Sequence, residues 1–147
     1  MTTPLLDQTR ATDLAAAATA SGLDTVVSLR PGVAAVATRN VPATSAIFAT
    51  HFPRFPVVPG VLIIDDLARL AALVLAGDGG LNRWRLAGVT RVRFRHFVRP
   101  GDVAELRVEV RSGGDEPILR GDVRVGGSPV TTVGSLVMRD TAAGAAA

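Results

Sequence analysis

The chain contains no cysteine, which excludes disulfides, thiolate nucleophiles and cysteine-ligated metals. It has two histidines, His51 and His96, too few without cysteine to build a structural zinc site. Lysine is absent as well, so all sixteen basic residues are arginines. Aromatic residues make up 4% of the chain against 48% hydrophobic residues overall, so the core must come from Val, Leu, Ile and Ala. That scarcity also argues against a nucleic-acid partner. The net charge is +3, but the arginines are spread along strand-like segments, with no basic tail and few rings to stack on bases. Residues 1–13 carry acids and no compact apolar run, unlike a signal peptide. The longest apolar stretch is interrupted by Asp65, Asp66 and Arg69 and is too short to cross a bilayer. A soluble cytoplasmic protein of one domain is the expectation for 147 residues.

What is present falls into alternating segments with no internal repeat. Residues 1–22 form a Thr- and Ala-rich lead, in which Asp13 could cap a short helix over Leu14–Ala20 ending near Gly22. Thr25–Leu29 and Val33–Val41 flank Arg30-Pro31-Gly32 and read as a hairpin. Pro42–Thr50 reads as a connector, and Val61–Ala76 as a long helix stopped at Gly77-Asp78-Gly79-Gly80. Strands are expected at Gly88–Phe97, Asp102–Ser112, Ile118–Val125 and Pro129–Met138, separated by Pro-Gly and Gly-Gly turns. The Ala-rich residues 141–147 read as a disordered tail. One long helix with hairpin-linked strands predicts an α+β arrangement, an antiparallel sheet wrapped around that helix.

The densest chemistry lies in residues 51–65, His-Phe-Pro-Arg-Phe-Pro-Val-Val-Pro-Gly-Val-Leu-Ile-Ile-Asp. Pro53, Pro56 and Pro59 stiffen the segment and Gly60 permits close backbone approach, so His51 can be held in a defined place. Histidine exchanges protons near neutral pH. A helix N-terminus presents unpaired N–H groups to developing negative charge. A carboxylate on the second turn of an apolar helix, Asp65, needs a partner or a purpose if buried. Each residue also has a plain reading. His51 could be a loop residue, Asp65 and Asp66 the solvated side of the helix, and Arg69 the one-turn ion-pair partner of Asp65.

The run His-Phe-Pro-x-x-Pro-x-x-Pro-Gly-Val-Leu-Ile-Ile followed by an acid resembles the active-site segment of the 3-hydroxyacyl-[acyl carrier protein] dehydratases of hotdog fold. A second block, Val92-Arg-Phe-Arg-His-Phe-Val-Arg-Pro-Gly-Asp102, is similar to the family's basic-aromatic strand. The resemblance extends from about Leu23 to Met138 and implies a hotdog domain over residues 23–140. It implies dehydration of a (3R)-3-hydroxyacyl thioester to the trans-2-enoyl thioester, with the substrate on a phosphopantetheine arm and no other cofactor. His51 would remove the α-proton, Asp65 would protonate or orient the departing hydroxyl, and the Gly60 N–H would bind the thioester oxygen. Phe52, Phe55, Pro59, Val61 and Arg69 would contact the substrate.

Acyl carrier protein would be the partner, suited by its acidity to an arginine-rich rim. The site would be shared across a homodimer or an oligomer of dimers. No nucleic acid, membrane or metal enters this picture. Departures are visible. The acid is Asp where the housekeeping enzymes carry Glu, as in the related FabA-like and polyketide synthase dehydratases. Thr50 stands where Gly is favoured, Arg69 where Gln is usual, and an N-terminal Tyr-Pro-Phe-Leu-Leu motif is missing. These point toward polyketide or polyene assembly more than bulk fatty-acid synthesis. They also motivate an alternative, a weakly catalytic subunit completing a heterodimer with a second hotdog chain. A hotdog acyl thioesterase is a further alternative.

Overall fold

The computed structural model of the chain describes residues 4–41, 57–76 and 80–141. The connector Pro42–Thr50, most of the Gly77–Gly80 breaker and the tail beyond Thr141 lie outside these. Helix α1 (Pro4–Ser21) precedes strands β1 (Thr25–Arg30) and β2 (Ala34–Asn40). Helix α2 (Gly60–Leu75) follows, then a short 3₁₀ turn and strands β3 (Trp84–Phe94), β4 (Val103–Ser112), β5 (Ile118–Val125) and β6 (Ser128–Asp140). All six strands form one antiparallel sheet in the order β1-β2-β4-β5-β6-β3, with α2 packed against β2 through β6.

Among the described residues two helices accompany the sheet, and the first is much longer than the short Leu14–Ala20 helix expected. Helix α1 has 18 residues, so Asp13 lies inside it and caps nothing. No breaker occurs between Pro4, tolerated in a first helical turn, and Gly22. Gly22 ends the helix at φ 75° with its N–H on Ala18 O at 3.0 Å.

Helix α2 buries one stripe, Ile63, Leu67, Leu70, Ala71 and Val74, at helical spacing. The helix is apolar on nearly every side but is not buried all round: Val61 is 71% exposed, and Leu62 and Asp65 also face outward. A helix lying on one face of a sheet covers only the stripe that meets it.

The sheet's inner face reads across the strands in rows. One row runs Val26–Ala37–Leu106–Val123–Thr131–Phe94, each residue in register with the next. The outer face of β4 and β5 is charged, with Glu105 opposite Arg124, Arg107 opposite Asp122 and Glu109 opposite Arg120. In β3, Arg91 adopts φ 55° opposite Gly134. A Cβ at Gly134 would stand 2.8 Å from that of Arg91, so glycine provides the room for this irregular residue. The strand ends at Phe94, earlier than the expected Phe97, and leaves His96 exposed beyond it.

Candidate active site

The two ends of α2 are treated differently. At its C-terminal end, the Gly32 N–H of the β1–β2 turn donates to Val74 O at 2.8 Å, and the Trp84 indole N–H donates to Leu75 O at 2.9 Å. Two of the carbonyls that a helix end leaves unpaired are thus satisfied. At the N-terminal end, Leu62 and Ile63 turn their N–H groups onto Pro59 O, and among the described residues no side chain caps the helix. Among the described residues no acceptor meets the Gly60 or Val61 N–H. The incoming segment is fixed all the same, because the Val58 N–H donates to Val98 O at 2.8 Å and both Val57 and Val98 are buried. An anchored, uncapped helix start offers donors and positive dipole to an anion or a polarised carbonyl.

Gly60 is required here by space and not by its φ. A Cβ on it would lie 2.6 Å from Phe94 Cζ, so the Phe94 ring rests directly on the glycine. Phe94 is nonetheless 52% exposed, a ring lying over the helix start with solvent on its other side.

Asp65 stands on the second turn of α2 and its side chain is 54% exposed, so the idea of a buried carboxylate does not apply to it. Arg69 Nε donates to Asp65 Oδ2 at 3.0 Å, and Arg69 Nη1 lies 2.8 Å from where a Gly22 Cβ would stand. Arg69 thus faces Asp65 and the end of α1. Asp65 Oδ1 has no hydrogen bond among the described residues. Asp65 opens onto a cleft of about 500 Å³ walled by Ser21 of α1, Arg69 and Ala72 of α2, and Trp84, Arg85 and Met138 from the sheet. The Trp84 bond to Leu75 O fixes the indole as one wall.

The neighbouring acid behaves otherwise. Asp66, 18% exposed, accepts two hydrogen bonds from Arg39 of β2, at 2.7 Å and 3.0 Å. Hydrogen bonding to Asp66 raises the Arg39 pKa further above its ordinary value, against the opposing effect of burial. This pair pins α2 to β2 and so sets where Asp65 points. Sequence reading missed Arg39, which carries no local signal and reaches Asp66 across 27 residues.

Of the residues expected in a site, Pro59, Gly60 and Val61 form the uncapped helix start, while Asp65 and Arg69 line the cleft. His51, Phe52 and Phe55 lie outside the described residues. Among the described residues no group of His, Asp or Glu is arranged to hold a metal, and no helix is long and apolar enough to cross a membrane.

Comparison with known proteins follows the same segment. Residues 29–120 match the family model for ApeI-like proteins, described as ApeI dehydratase. A 3-hydroxyacyl-[acyl-carrier-protein] dehydratase FabZ of Geobacillus thermodenitrificans is 39% identical over 118 residues, 78% of this chain and 77% of the relative. The enzyme of the same name from Ruminiclostridium cellulolyticum is 39% identical over 90 residues, 60% of this chain and 63% of its own length. Among solved structures, the dehydratase heterocomplex ApeI:P from Xenorhabdus doucetiae shares the fold at a TM-score of 0.59 and 21% identity, covering 78% of this chain and 96% of that one. The E. coli PaaI protein does so at 0.61 and 16%, covering 92% and 96%. The structural likenesses identify the α+β sheet-and-helix arrangement as a hotdog fold, and the family match and the FabZ relatives favour the dehydratase expectation. The chain belongs to the ApeI-like family of hotdog dehydratases and is a hydro-lyase.

Proposed function

We propose that the chain dehydrates a (3R)-3-hydroxyacyl thioester held on acyl carrier protein to the trans-2-enoyl thioester. The observation that carries this reading is the uncapped, anchored start of α2 followed five residues later by Asp65 on an open cleft. The Gly60 N–H polarises the thioester carbonyl, which acidifies the α-carbon. His51 takes the α-proton as the electron pair forms the carbon–carbon double bond and the hydroxyl leaves. The proton held on the imidazole then passes to that hydroxyl, completing water. With Oδ2 engaged by Arg69, Asp65 uses Oδ1 to accept from the hydroxyl and aim it. Nothing beyond the phosphopantetheine-borne substrate is needed, because the thioester itself supplies the acidity. Carrier protein docks on the arginines beside Phe94. Arg91, Arg93 and Arg95 are exposed and carry no ion pair among the described residues, whereas the outer sheet face is neutralised by its own acids.

The site is completed by a second subunit. Gly60 lies at the Phe94 end of β3 and the Asp65 cleft at its Trp84 end, and β3 is an edge strand with one side unpaired in the sheet. Antiparallel pairing of two β3 edges sets the Trp84 end of one chain beside the Phe94 end of the other. A hetero-oligomer with a different hotdog subunit is the second reading. It is favoured by the ion pair that engages Asp65 and by the relative described as a heterocomplex. In either arrangement the pathway is fatty-acid or, given Asp65 and Arg69, polyketide or polyene assembly.

The test is complementation. His51→Ala and Asp65→Asn are each expected to be nearly inactive on a 3-hydroxyacyl carrier-protein thioester. Subunits of the two exchanged in equal amounts should recover roughly a quarter of parental activity, since half the dimers carry one intact site of two. A stable, active monomer by light scattering sinks the shared site. A parental chain inactive alone but active with a second hotdog subunit replaces the homodimer by the heterodimer.

A further inference from the structure

One polar group in the core is used by neither the fold nor the mechanism above. Among the described residues, Thr131 Oγ1 is the buried side-chain atom that makes no hydrogen bond, although the residue is 0% exposed. A buried hydroxyl left without a partner costs about 1–3 kcal/mol, and valine would fill the same space without that cost.

Its direction follows from the sheet. Thr132, its neighbour, lines the outer face with Asp122 and Arg124, so Thr131 points to the inner face. It pairs in register with Val123 on one side and Phe94 on the other, and directly opposed residues share a face. In the row Val26–Ala37–Leu106–Val123–Thr131–Phe94, Thr131 is the sole polar residue, and it occupies the place next to the ring that rests on Gly60. Elsewhere along this row apolar side chains meet the core. Thr131 is thus linked through the Phe94 ring to Gly60 at the uncapped start of α2, in which two N–H groups also lack acceptors among the described residues. Phe94 is half exposed, so its ring has open space to swing outward and uncover this corner.

We propose that Thr131 is a second hydrogen-bond donor to the substrate, its hydroxyl joining the Gly60 N–H on the thioester oxygen once the Phe94 ring moves aside. Two donors on one oxygen, one from the helix start and one from β6, hold the carbonyl plane fixed while negative charge builds on it. The orphaned hydroxyl of the free chain is then a preformed donor whose partner arrives with the substrate. This inference rests on the dehydratase reading.

The experiment compares Thr131→Val and Thr131→Ser with the parental chain, and uses His51→Ala as the control for the parent reading. Thr131→Val should melt at the same temperature as the parent or above it, since an unpaired hydroxyl is removed. Its kcat should fall about a hundredfold, the usual loss for one oxyanion donor, with KM changed far less. Thr131→Ser keeps a hydroxyl and should recover most of that loss. If Thr131→Val turns over like the parent while His51→Ala is inactive, Thr131 contacts no reacting atom, and the dehydratase reading survives alone. A fall in turnover that only matches a fall in folded protein, with no rescue by serine, overturns the proposal equally. If His51→Ala also keeps full activity, the parent reading is what failed.

Discussion

Substituting Gly60 by alanine separates packing from catalysis at the helix start. The new methyl carbon would stand 2.6 Å from Phe94 Cζ, 2.9 Å from Cε1 and 3.1 Å from Cε2. Comfortable carbon contacts are about 3.5–4.0 Å, so the ring must retreat by roughly 1 Å. Overpacking in a closed core costs about 1–3 kcal/mol. Phe94 is 52% exposed and can yield toward solvent, which places the cost at about 1 kcal/mol or below. Alanine's better helix propensity returns part of it. For a chain of this length each kcal/mol moves Tm by about 2–4 °C, so Gly60→Ala should lower Tm by no more than about 4 °C.

Turnover should suffer far more. The methyl group and the displaced ring occupy the corner into which the Gly60 N–H donates, and kcat on a carrier-bound substrate should fall by about tenfold or more. A double-mutant cycle with Phe94→Ala assigns the clash. Removing the ring should abolish the stability cost of Gly60→Ala, leaving a coupling of about 1 kcal/mol. Full activity in Gly60→Ala refutes the helix-start reasoning. A loss of more than about 3 kcal/mol that Phe94→Ala does not relieve refutes the account of why glycine is there.

Arg69→Gln removes a half-exposed ion pair and should alter stability by less than about 1 kcal/mol. If Arg69 restrains Asp65, the substitution raises dehydration on both carrier-bound and small pantetheine substrates. A loss confined to carrier-bound substrate and sensitive to salt would instead assign Arg69 to docking. Arg39→Ala strands the mostly buried Asp66 carboxylate and should cost about 1–3 kcal/mol in denaturant unfolding, so an unchanged midpoint would show that this pair does not pin α2. Arg93→Glu combined with Arg95→Glu should weaken carrier-protein binding at low salt while sparing turnover of a small surrogate. Equal effects on both substrates would move the docking surface elsewhere.

The helix at Gly60–Leu75 and the strands after it were legible because their signals are local: apolar periodicity, proline and glycine punctuation, alternating strands. Ile118–Val125 agrees at both ends. Helix α1 was underread because its Thr-rich turns lack an apolar stripe, so only Leu14–Ala20 carried a pattern. The strand read as Gly88–Phe97 lies at Trp84–Phe94 because a bulge between Leu86 and Gly88 lets pairing begin earlier, and the chain leaves the sheet after Phe94. Within the candidate site, the helix start and the Asp65–Arg69 spacing were visible as motif and as one helical turn. Arg39 on Asp66, the Phe94 ring on Gly60 and the orphaned Thr131 hydroxyl were not. Each joins segments brought together only by sheet order and register, which no local pattern encodes.

The opposed charges on the outer face of β4 and β5 guard against an assembly error. A slip of one residue between these strands would turn buried Leu106 and Val108 to water, so hydrophobicity alone forbids it. A slip of two keeps every apolar side chain facing inward, and the greasy pattern has no objection to it. The charges object. Sliding one way sets Arg107 against Arg124 and Glu109 against Asp122; sliding the other sets Arg107 against Arg120 and Glu105 against Asp122. Like faces like in both misalignments, and only the native pairing matches every sign. Opposed charges worth little individually to the finished protein thus act as a proofreading code for the β4–β5 register while the sheet forms.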